Sequence, residues 1–504
     1  MKAFLMYRDH DFDMQRALPP NASDLMQDLE LNTLFAAMAG GDEFLLRVAK
    51  QAVLTGLEND VDTILYRQAI LRDCLDHPAL VRELYDIAVE AIVRERKNYF
   101  GILNTSPTSI LYRSVEVLQM FMEMLKRLKN VAVTHASECT SEGFQRLFAM
   151  LEQELDDEYF ARVQYHLKAL KFNDGVLISA ELGRGNKGTH YVLRKPLEQK
   201  QGWRARFFGA KTPTYSFQIP DRDENGARAL MELENRGINL AANALAQSND
   251  HILSFFKLLR TELAFYVGNL NLRERLSEKG EPMCIPIPYA PDECKHSFEG
   301  LYDVCLSLSM EERVIGNSGN ADGKNLIIIT GANQGGKSTF LRSIGLAQLM
   351  MQCGMIVPAE SFAANISDRL FTHYKREEDA TMESGKFDEE LRRMSAMIDH
   401  VTPHSMLLFN ESFAATYERE GSEIAYQIVR ALLELPVKIF FVTHLYEFAR
   451  IFYAKHLQNA MFLRPERQPD GTRTFKIKEG EPLETSFGRD LYERIFGAEL
   501  SDEL

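Results

Sequence analysis

Apolar residues recur at spacings of three and four in three stretches between about residue 46 and residue 290, which is the spacing of one face of a helix. The stripes are Leu80, Leu84, Ile87 and Ala91, then Leu111, Val115, Leu118, Met122 and Leu125, and then Phe256, Leu259, Leu263, Tyr266 and Leu270. Core packing alone would explain such stripes, so they indicate architecture and not function. They predict a long-helix domain over 46–290, preceded by a short mixed segment at 1–45.

The helical pattern is interrupted over 172–220, where two apolar runs, Gly175–Ala180 and Thr189–Leu193, predict strands separated by a glycine-rich turn. Between Arg184 and Lys211 the chain carries eight basic residues and one acidic residue, a local charge of +7. Such a basic lobe suits contact with a DNA backbone. The positive charges are explained equally well by a solvated surface or by a face that contacts an acidic part of the same protein. The candidate DNA contacts are Arg184, Lys187, Arg194, Lys195, Arg204 and Arg206.

From about residue 291 the pattern predicts an α/β domain that extends to residue 504. The apolar run Leu326–Thr330 leads into a glycine-rich loop and then into an apolar helix that reaches about Met351. Strand, loop and helix in this order, with the pattern G-x-x-x-x-G-K-S, predict a site for a nucleoside triphosphate whose phosphates are held by backbone N–H groups. The loop residues are Gly331, Ala332, Asn333, Gln334, Gly335, Gly336, Lys337, Ser338 and Thr339. We expect Lys337 to reach the β- and γ-phosphates and the Ser338 hydroxyl to bind Mg²⁺.

Two more apolar runs end in polar residues, at the end of the strand where ligands of α/β sheets bind. The run before residue 410 is followed by Asn410 and Glu411, and the run Ile439–Thr443 is followed by His444. P-loop ATPases usually have Asp-Glu at the first of these positions, to support Mg²⁺ and to orient the attacking water. Asn410 therefore offers Mg²⁺ an uncharged oxygen, Glu411 is the candidate catalytic carboxylate, and His444 is a candidate contact to the γ-phosphate or the water. A strand end without chemistry is the alternative for each.

Net charge, cysteine pattern and apolar run lengths limit the partners and the cellular compartment that are compatible with these sites. A net charge of −14 excludes a wholly cationic nucleic-acid coat but allows a local basic surface. The six cysteines form no Cys-x-x-Cys pair, which argues against a zinc site and favours a reducing compartment. The N-terminus has no secretory pattern, and no apolar run reaches the length of about 18 residues that a membrane span needs. We therefore expect a cytoplasmic protein without membrane contact.

Several motifs resemble those of the MutS family of DNA mismatch-repair ATPases. The matching stretches are Thr330–Arg342 (phosphate loop), Cys353–Ala359 (G-x-x-V-P-A), Asp368–Thr372 (D-R-I-F-T), Thr443-His444 with Glu447 (T-H-x-x-E) and Tyr66–Leu71 (start of the lever domain). The resemblance is strong over about 300–490 and weaker over about 45–290. The LSGGQ-type motif of ABC transporters and SMC proteins, which share the ATPase plan, is absent. The resemblance implies a P-loop (ABC-type) ATPase domain preceded by a long-helix lever domain with a small β-rich insertion.

The resemblance also implies a homodimer with two composite ATP sites. Each site would be completed by a signature segment of the partner, which corresponds to Glu383–Glu390 and is two residues shorter than the family pattern. Ser384, Gly385 and Lys386 are then candidates to contact the partner's γ-phosphate. Phe475 lies on a candidate strand that the family uses for base stacking, although an apolar strand residue without that role fits as well.

Mismatch-reading members of the family carry a wedge domain and a connector before the levers. Fewer than fifty residues precede the predicted levers here, and neither Phe4 nor Phe12 begins the family's Phe-x-Glu wedge pattern. We therefore expect a short MutS-like protein that lacks both domains and does not read mismatches by base wedging.

The expected function is a slow, Mg²⁺-dependent dimeric ATPase that couples ATP to binding of mismatched, branched or distorted DNA in repair or recombination. One alternative is a P-loop ATPase that acts on a protein partner without DNA, which the charge of −14 favours. The other is a nucleotide-gated scaffold with little hydrolysis, which Asn410 favours.

Overall fold

The computed structural model describes residues 1–99, 106–172, 175–195, 215–331, 334–376, 385–468 and 473–483. The described helices are α1 (Ala22–Asp28), α2 (Leu31–Ala39), α3 (Glu43–Thr55), α4 (Val61–Asp76), α5 (Pro78–Tyr99), α6 (Pro107–His135), α7 (Glu142–Glu154), α8 (Asp157–Ala169), α9 (Glu224–Glu278), α10 (Val304–Ser309), α11 (Lys337–Gln352), α12 (Lys386–Ile398), α13 (Glu418–Leu432) and α14 (Tyr446–Ala454). The described strands are β1 (Leu177–Leu182), β2 (Gly188–Arg194), β3 (Ile287–Tyr289), β4 (His296–Leu301), β5 (Asn317–Asn320), β6 (Leu326–Ile329), β7 (Ser361–Asn365), β8 (Leu370–Tyr374), β9 (Met406–Asn410), β10 (Lys438–Val442), β11 (Ala460–Arg467) and β12 (Arg473–Glu479).

The chain divides into two compact units. The first comprises residues 1–3, 83–138 and 145–260, and the second comprises 4–82, 139–144 and 261–504. Helix α9 is 55 residues long and contributes residues to both. The structure thus groups 4–82 with 261–504, whereas the sequence pattern assigned 1–45, 46–290 and 291–504 to three segments.

The first unit is built on long helices, as the apolar stripes predicted. Helix α6 begins at a Ser106 cap whose side chain accepts the Ser109 N–H, with Pro107 at the first helical position. The stripe residues of α6 are buried, and Leu111 packs with Ile238 and Ala242 of α9. The predicted strands are confirmed as an antiparallel hairpin, in which β1 pairs with β2.

The second unit contains a six-stranded sheet in the order β12-β11-β6-β10-β9-β8. All neighbours are parallel except β12, which is antiparallel to β11. The central strands are continuous apolar runs because a parallel sheet is covered on both faces, and every residue of β6 and β10 is buried. A second, mixed sheet has the order β3-β7-β4-β5. The predicted α/β domain with long helices is confirmed, while its ABC-type assignment stays a prediction.

The N-terminal 45 residues are more regular than the mixed pattern suggested. Helices begin at Ala22 and not near residue 46, and their apolar side chains, such as Leu34 and Phe35, are buried. The Asn21 side chain donates to the Leu370 carbonyl at 2.7 Å. Helices α1 and α2 have seven and nine residues, so each is too short for a stripe to repeat visibly in the sequence.

Among the described helices, none has the length and apolar content that crossing a bilayer requires.

Candidate nucleotide-binding site

Three neighbouring strands of the large sheet bring the predicted site residues to one edge. Strand β10 pairs in parallel with β6 on one side and with β9 on the other, so that Val442 is level with Ile329 and with Asn410. The carboxyl ends of β6, β9 and β10 therefore meet, and the residues that follow them face a common region. This topology explains why positions more than one hundred residues apart in the chain can form one site.

The glycine-rich loop has the backbone conformation that its glycines allow. Gly331 and Gly336 have φ angles of 107° and 86°, in the left-handed region that L side chains rarely adopt. A Cβ on Gly331 would also lie 3.1 Å from Pro465 Cδ. Helix α11 starts directly after Gly336, and its N-terminal N–H groups form the type of end that binds anions.

Lys337 is buried at the start of α11, with 5% of its surface exposed. Its Nζ donates to the Gly331 carbonyl at 2.7 Å, which folds the side chain back over the loop. Burial lowers the pKa of Lys337 to about 8, and the nearby Glu411 carboxylate opposes this shift. A buried cation at the glycine-rich loop fits a triphosphate, because phosphate oxygens would stabilise its charged form.

The two predicted Mg²⁺ ligands contact each other. The Ser338 hydroxyl donates to Asn410 Oδ1 at 2.9 Å, although the two residues are 72 positions apart. Ser338 and Asn410 both offer uncharged oxygens. In the part of the chain that the structure describes, no group of three or more His, Cys, Asp and Glu side chains could hold a metal. The donor set fits a hard cation that is also held by phosphate oxygens, the usual situation of Mg²⁺ at nucleotide sites.

Glu411 and His444 form a pair beside this contact. His444 Nε2 lies 2.8 Å from Glu411 Oε1. The hydrogen bond with His444 lowers the pKa of Glu411 below its usual value against the effect of burial, so the carboxylate is ionised at neutral pH. The Glu411 N–H donates to the Val442 carbonyl, which fixes the residue to the end of β10. The structure therefore brings Glu411, His444, Ser338, Asn410 and Lys337 together, as the sequence predicted.

Two residues of β12 also lie at the loop. Arg473 Nη1 donates to Gln334 Oε1 at 2.7 Å. A Cβ on Gly336 would lie 3.7 Å from Phe475 Cδ1, and the Phe475 side chain is 47% exposed. Phe475 is thus an exposed aromatic ring next to the phosphate loop. The sequence leaves the role of Phe475 open and gives no sign of Arg473, since nothing in the local pattern distinguishes that arginine from other basic strand residues.

The remaining predicted residues are only partly described. Ala332, Asn333, Ser384, Arg204 and Arg206 lie outside the described residues. Gly385 and Lys386 begin α12, and among the described residues no heavy atom lies within 4 Å of a Cβ placed on Gly385. Within the described part of the chain, no atom therefore covers the start of α12 at Gly385.

Four predicted DNA contacts lie on the β1–β2 hairpin, and all four are exposed. Arg184 and Lys187 flank the turn between the strands. Arg194 Nε donates to Ser179 Oγ at 2.8 Å, and the Lys195 ammonium lies 5.0 Å from the centre of the Tyr165 ring. The hairpin thus presents several cations on one small element.

Two families of known domains match this chain in sequence. The sequence model of the MutS2 N-terminal domain matches residues 59–279, and that of MutS domain V matches residues 327–494. Mouse (Mus musculus) MutS protein homolog 4 is 26% identical over 293 residues, which are 55% of this chain and 29% of that protein. The DNA mismatch repair protein MutS of Thermotoga neapolitana is 31% identical over 181 residues (36% of this chain, 22% of that protein). The protein of the same name from Leptospira interrogans is 32% identical over 167 residues (33% and 20%).

The chain spans less than a third of the length of these curated relatives. The two matched domains nevertheless lie one after the other and together account for most of the sequence. The chain belongs to the MutS family.

Proposed function

We propose that this protein is a Mg²⁺-dependent ATPase that couples ATP binding and slow hydrolysis to the binding of mismatched, branched or distorted DNA in repair or recombination. The observation that carries the proposal is the meeting of Lys337 and Ser338, Glu411, and His444 beyond the ends of three adjacent strands, β6, β9 and β10. The names of two relatives, which are DNA mismatch repair proteins, support the DNA part.

In this proposal the loop amides and Lys337 hold the phosphates of ATP. Ser338 and Asn410 would hold Mg²⁺, which supplies neutralisation of the charge on the β- and γ-phosphate oxygens. Phe475 would stack on the base, and its position beside Gly336 supports this role. The short distance between Ser338 Oγ and Asn410 Oδ1 supports the metal assignment.

Glu411 is the proposed base for the attacking water. Its lowered pKa keeps the carboxylate ionised, and His444 fixes one of its oxygens. The other oxygen remains available to orient a water molecule towards the γ-phosphate. Asn410 lacks the charge of the usual aspartate, so we expect slow turnover.

Nucleotide affinity is expected to fall as the pH is raised through about 8, the pKa to which burial lowers Lys337. Bound phosphates favour the charged lysine, so affinity is highest below this pH and decreases by up to about tenfold per pH unit above it. Titration of a fluorescent ATP analogue on both sides of pH 8 measures the effect. The Lys337→Arg variant is the comparison, because a guanidinium stays protonated and should remove the step. A flat wild-type profile would argue against phosphate contact by Lys337.

We further propose that two copies close on two ATP molecules, with Gly385 and Lys386 of each copy meeting the γ-phosphate of the other. The start of α12, which no described atom covers at Gly385, supports this arrangement. ATP would then favour one of two states of the protein, and the two states would bind DNA with different affinities. The test is the molar mass in solution with and without ATP·Mg²⁺ of a variant that does not hydrolyse ATP. A monomer under both conditions would contradict the dimer.

The hairpin cations are proposed to bind the DNA backbone. Reversing the charge of both turn residues, Arg184→Glu with Lys187→Glu, is expected to weaken DNA binding on the order of tenfold at low salt and to reduce the salt dependence by about two phosphate contacts. Anisotropy of labelled DNA over a salt series measures both effects. Arg47→Glu, at an exposed arginine of the second unit, is the matched control. If the double variant binds like wild type, the hairpin does not carry the DNA contact and the protein-partner alternative gains support.

A further inference from the structure

The loop that carries Glu411 has an unusual backbone. Glu411 and Phe413 have φ angles of 55° and 65°, in the left-handed region. Residues other than glycine stay in this region only when surrounding contacts hold them there. The direction of the Glu411 side chain therefore depends on whatever fixes Ser412 and Phe413.

Phe413 is held from two sides. Its N–H donates to the Glu390 carboxylate at 2.6 Å, and this carboxylate belongs to helix α12. Its carbonyl oxygen lies so close to Gly421 of α13 that a Cβ on Gly421 would be 2.3 Å away. The backbone of Phe413 is thus clamped between a side chain of one helix and the backbone of another.

Ser412 is fixed by a histidine of strand β8. The Ser412 hydroxyl donates to the His373 carbonyl at 2.6 Å, and Nδ1 of the His373 ring lies 2.8 Å from the same hydroxyl. The other ring nitrogen, Nε2, lies 3.1 Å from the Glu390 carbonyl oxygen. The ring also stacks on Phe413 with the ring centres 5.6 Å apart. His373 therefore joins the loop to α12 at a second point.

Filling the core at the position of Glu390 does not require a carboxyl group. The residue is 7% exposed, and burial raises its pKa above the usual value. An apolar side chain would occupy the same space without the cost of burying a carboxyl group. What a carboxylate adds is the hydrogen bond to the Phe413 N–H, which holds the left-handed loop.

We infer that Glu390 is a positioning residue for hydrolysis, which acts through Phe413, Ser412 and His373 to hold Glu411 in the orientation that the reaction needs. Helix α12 begins at Lys386, one turn before Glu390. Contact made at the start of this helix is therefore transmitted directly to the loop that carries the base of its own site. The inference rests on the proposed ATPase activity, and it means that helix α12 controls the rate of that activity.

The test compares Glu390→Ala with Glu390→Gln. The alanine variant leaves the Phe413 N–H without an acceptor, whereas glutamine keeps an oxygen at the same place. We expect Glu390→Ala to lower kcat for ATP on the order of tenfold, with the Kd of a fluorescent ATP analogue changed less than about twofold, because the lost contact orients the base and not the phosphates. Glu390→Gln should restore kcat to within about threefold of wild type. Glu423→Ala, an exposed carboxylate on α13, is the matched control.

Thermal unfolding identifies variants that fail to fold. If Glu390→Ala does not fold, Ser412→Ala takes its place, and we expect it to lower kcat without changing nucleotide affinity. If the wild type hydrolyses ATP and the folded variant has the same kcat, the inference is overturned and the proposed function stays intact. A variant in which kcat and nucleotide affinity fall together would overturn it as well, since that result indicates general damage. Absence of turnover in the wild type would overturn the proposed function itself, and the inference with it.

Discussion

Replacing Lys337 with alanine is expected to abolish measurable ATP turnover and to weaken nucleotide binding. Lys337 is the buried cation of the loop, and its Nζ already lies at the Gly331 carbonyl, inside the proposed phosphate cradle. Losing hydrogen bonds to a charged group costs about 1.5–3 kcal/mol, which is roughly a ten- to hundredfold increase in Kd. Loss of charge stabilisation in the transition state should lower kcat by about 10²–10³-fold.

Turnover by phosphate release and binding of a fluorescent ATP analogue measure the two effects of this substitution. Lys455→Ala removes an exposed lysine at the end of α14 and serves as the control, which should behave as wild type. Nucleotide binding of wild-type strength in Lys337→Ala would show that the glycine-rich loop is not a phosphate site.

Glu411→Gln is expected to slow ATP hydrolysis strongly while ATP binding stays nearly unchanged. Glutamine keeps the shape of the side chain and an oxygen towards His444, but it cannot accept a proton from water. Removing a general base typically lowers the rate by about 10²–10⁴-fold, while ATP should bind about as tightly as to wild type. The lowered pKa of Glu411 means that no loss of base function is expected until the pH falls below the ordinary carboxylate range.

Single-turnover hydrolysis and equilibrium ATP binding test this separation, with Glu434→Gln, an exposed glutamate that follows α13, as the control. Measurable turnover in the wild type that disappears in Glu411→Gln would also exclude the scaffold alternative that Asn410 suggested. Equal turnover in both proteins would mean that another group activates the water.

The residues of the candidate nucleotide site could be identified from the sequence because they lie at the ends of apolar strands or in the glycine-rich loop that follows one. Asn410, Glu411 and His444 are placed by the ends of β9 and β10, and the parallel pairing of these strands with β6 fixes their neighbourhood. Once the strands were identified, the meeting of Ser338 with Asn410 required only the general rule for α/β sheets.

The contacts around Glu411 could not be predicted in the same way. Glu390 and Phe413 are 23 residues apart on different elements, and His373 and Ser412 are 39 residues apart. The sequence does not show which of the two adjacent glutamates, Glu389 and Glu390, turns inward on this helix. That choice depends on the exact rotation of α12 against β8, which only three-dimensional packing determines.

The N-terminal segment illustrates a different limit. Its helices α1 and α2 contain too few turns for a repeating stripe, and the segment makes contacts with residues far along the chain, such as the Asn21 hydrogen bond to Leu370. Glu262, for example, accepts the N–H groups of Leu5 and Phe12, about 250 residues away in the chain. Local propensity carries no information about such partners.

The central proposal is that ATP controls DNA binding by this chain. The most direct measurement is the anisotropy of labelled homoduplex, single-mismatch duplex, four-way junction and single-stranded DNA, each titrated with the protein at low salt, with and without ATP·Mg²⁺. We predict tightest binding to the junction and a change of affinity on adding ATP, and we predict that Lys337→Ala binds DNA but no longer responds to ATP. Absence of binding to all four DNAs at low salt, where phosphate contacts are strongest, would contradict the proposal and favour a protein partner.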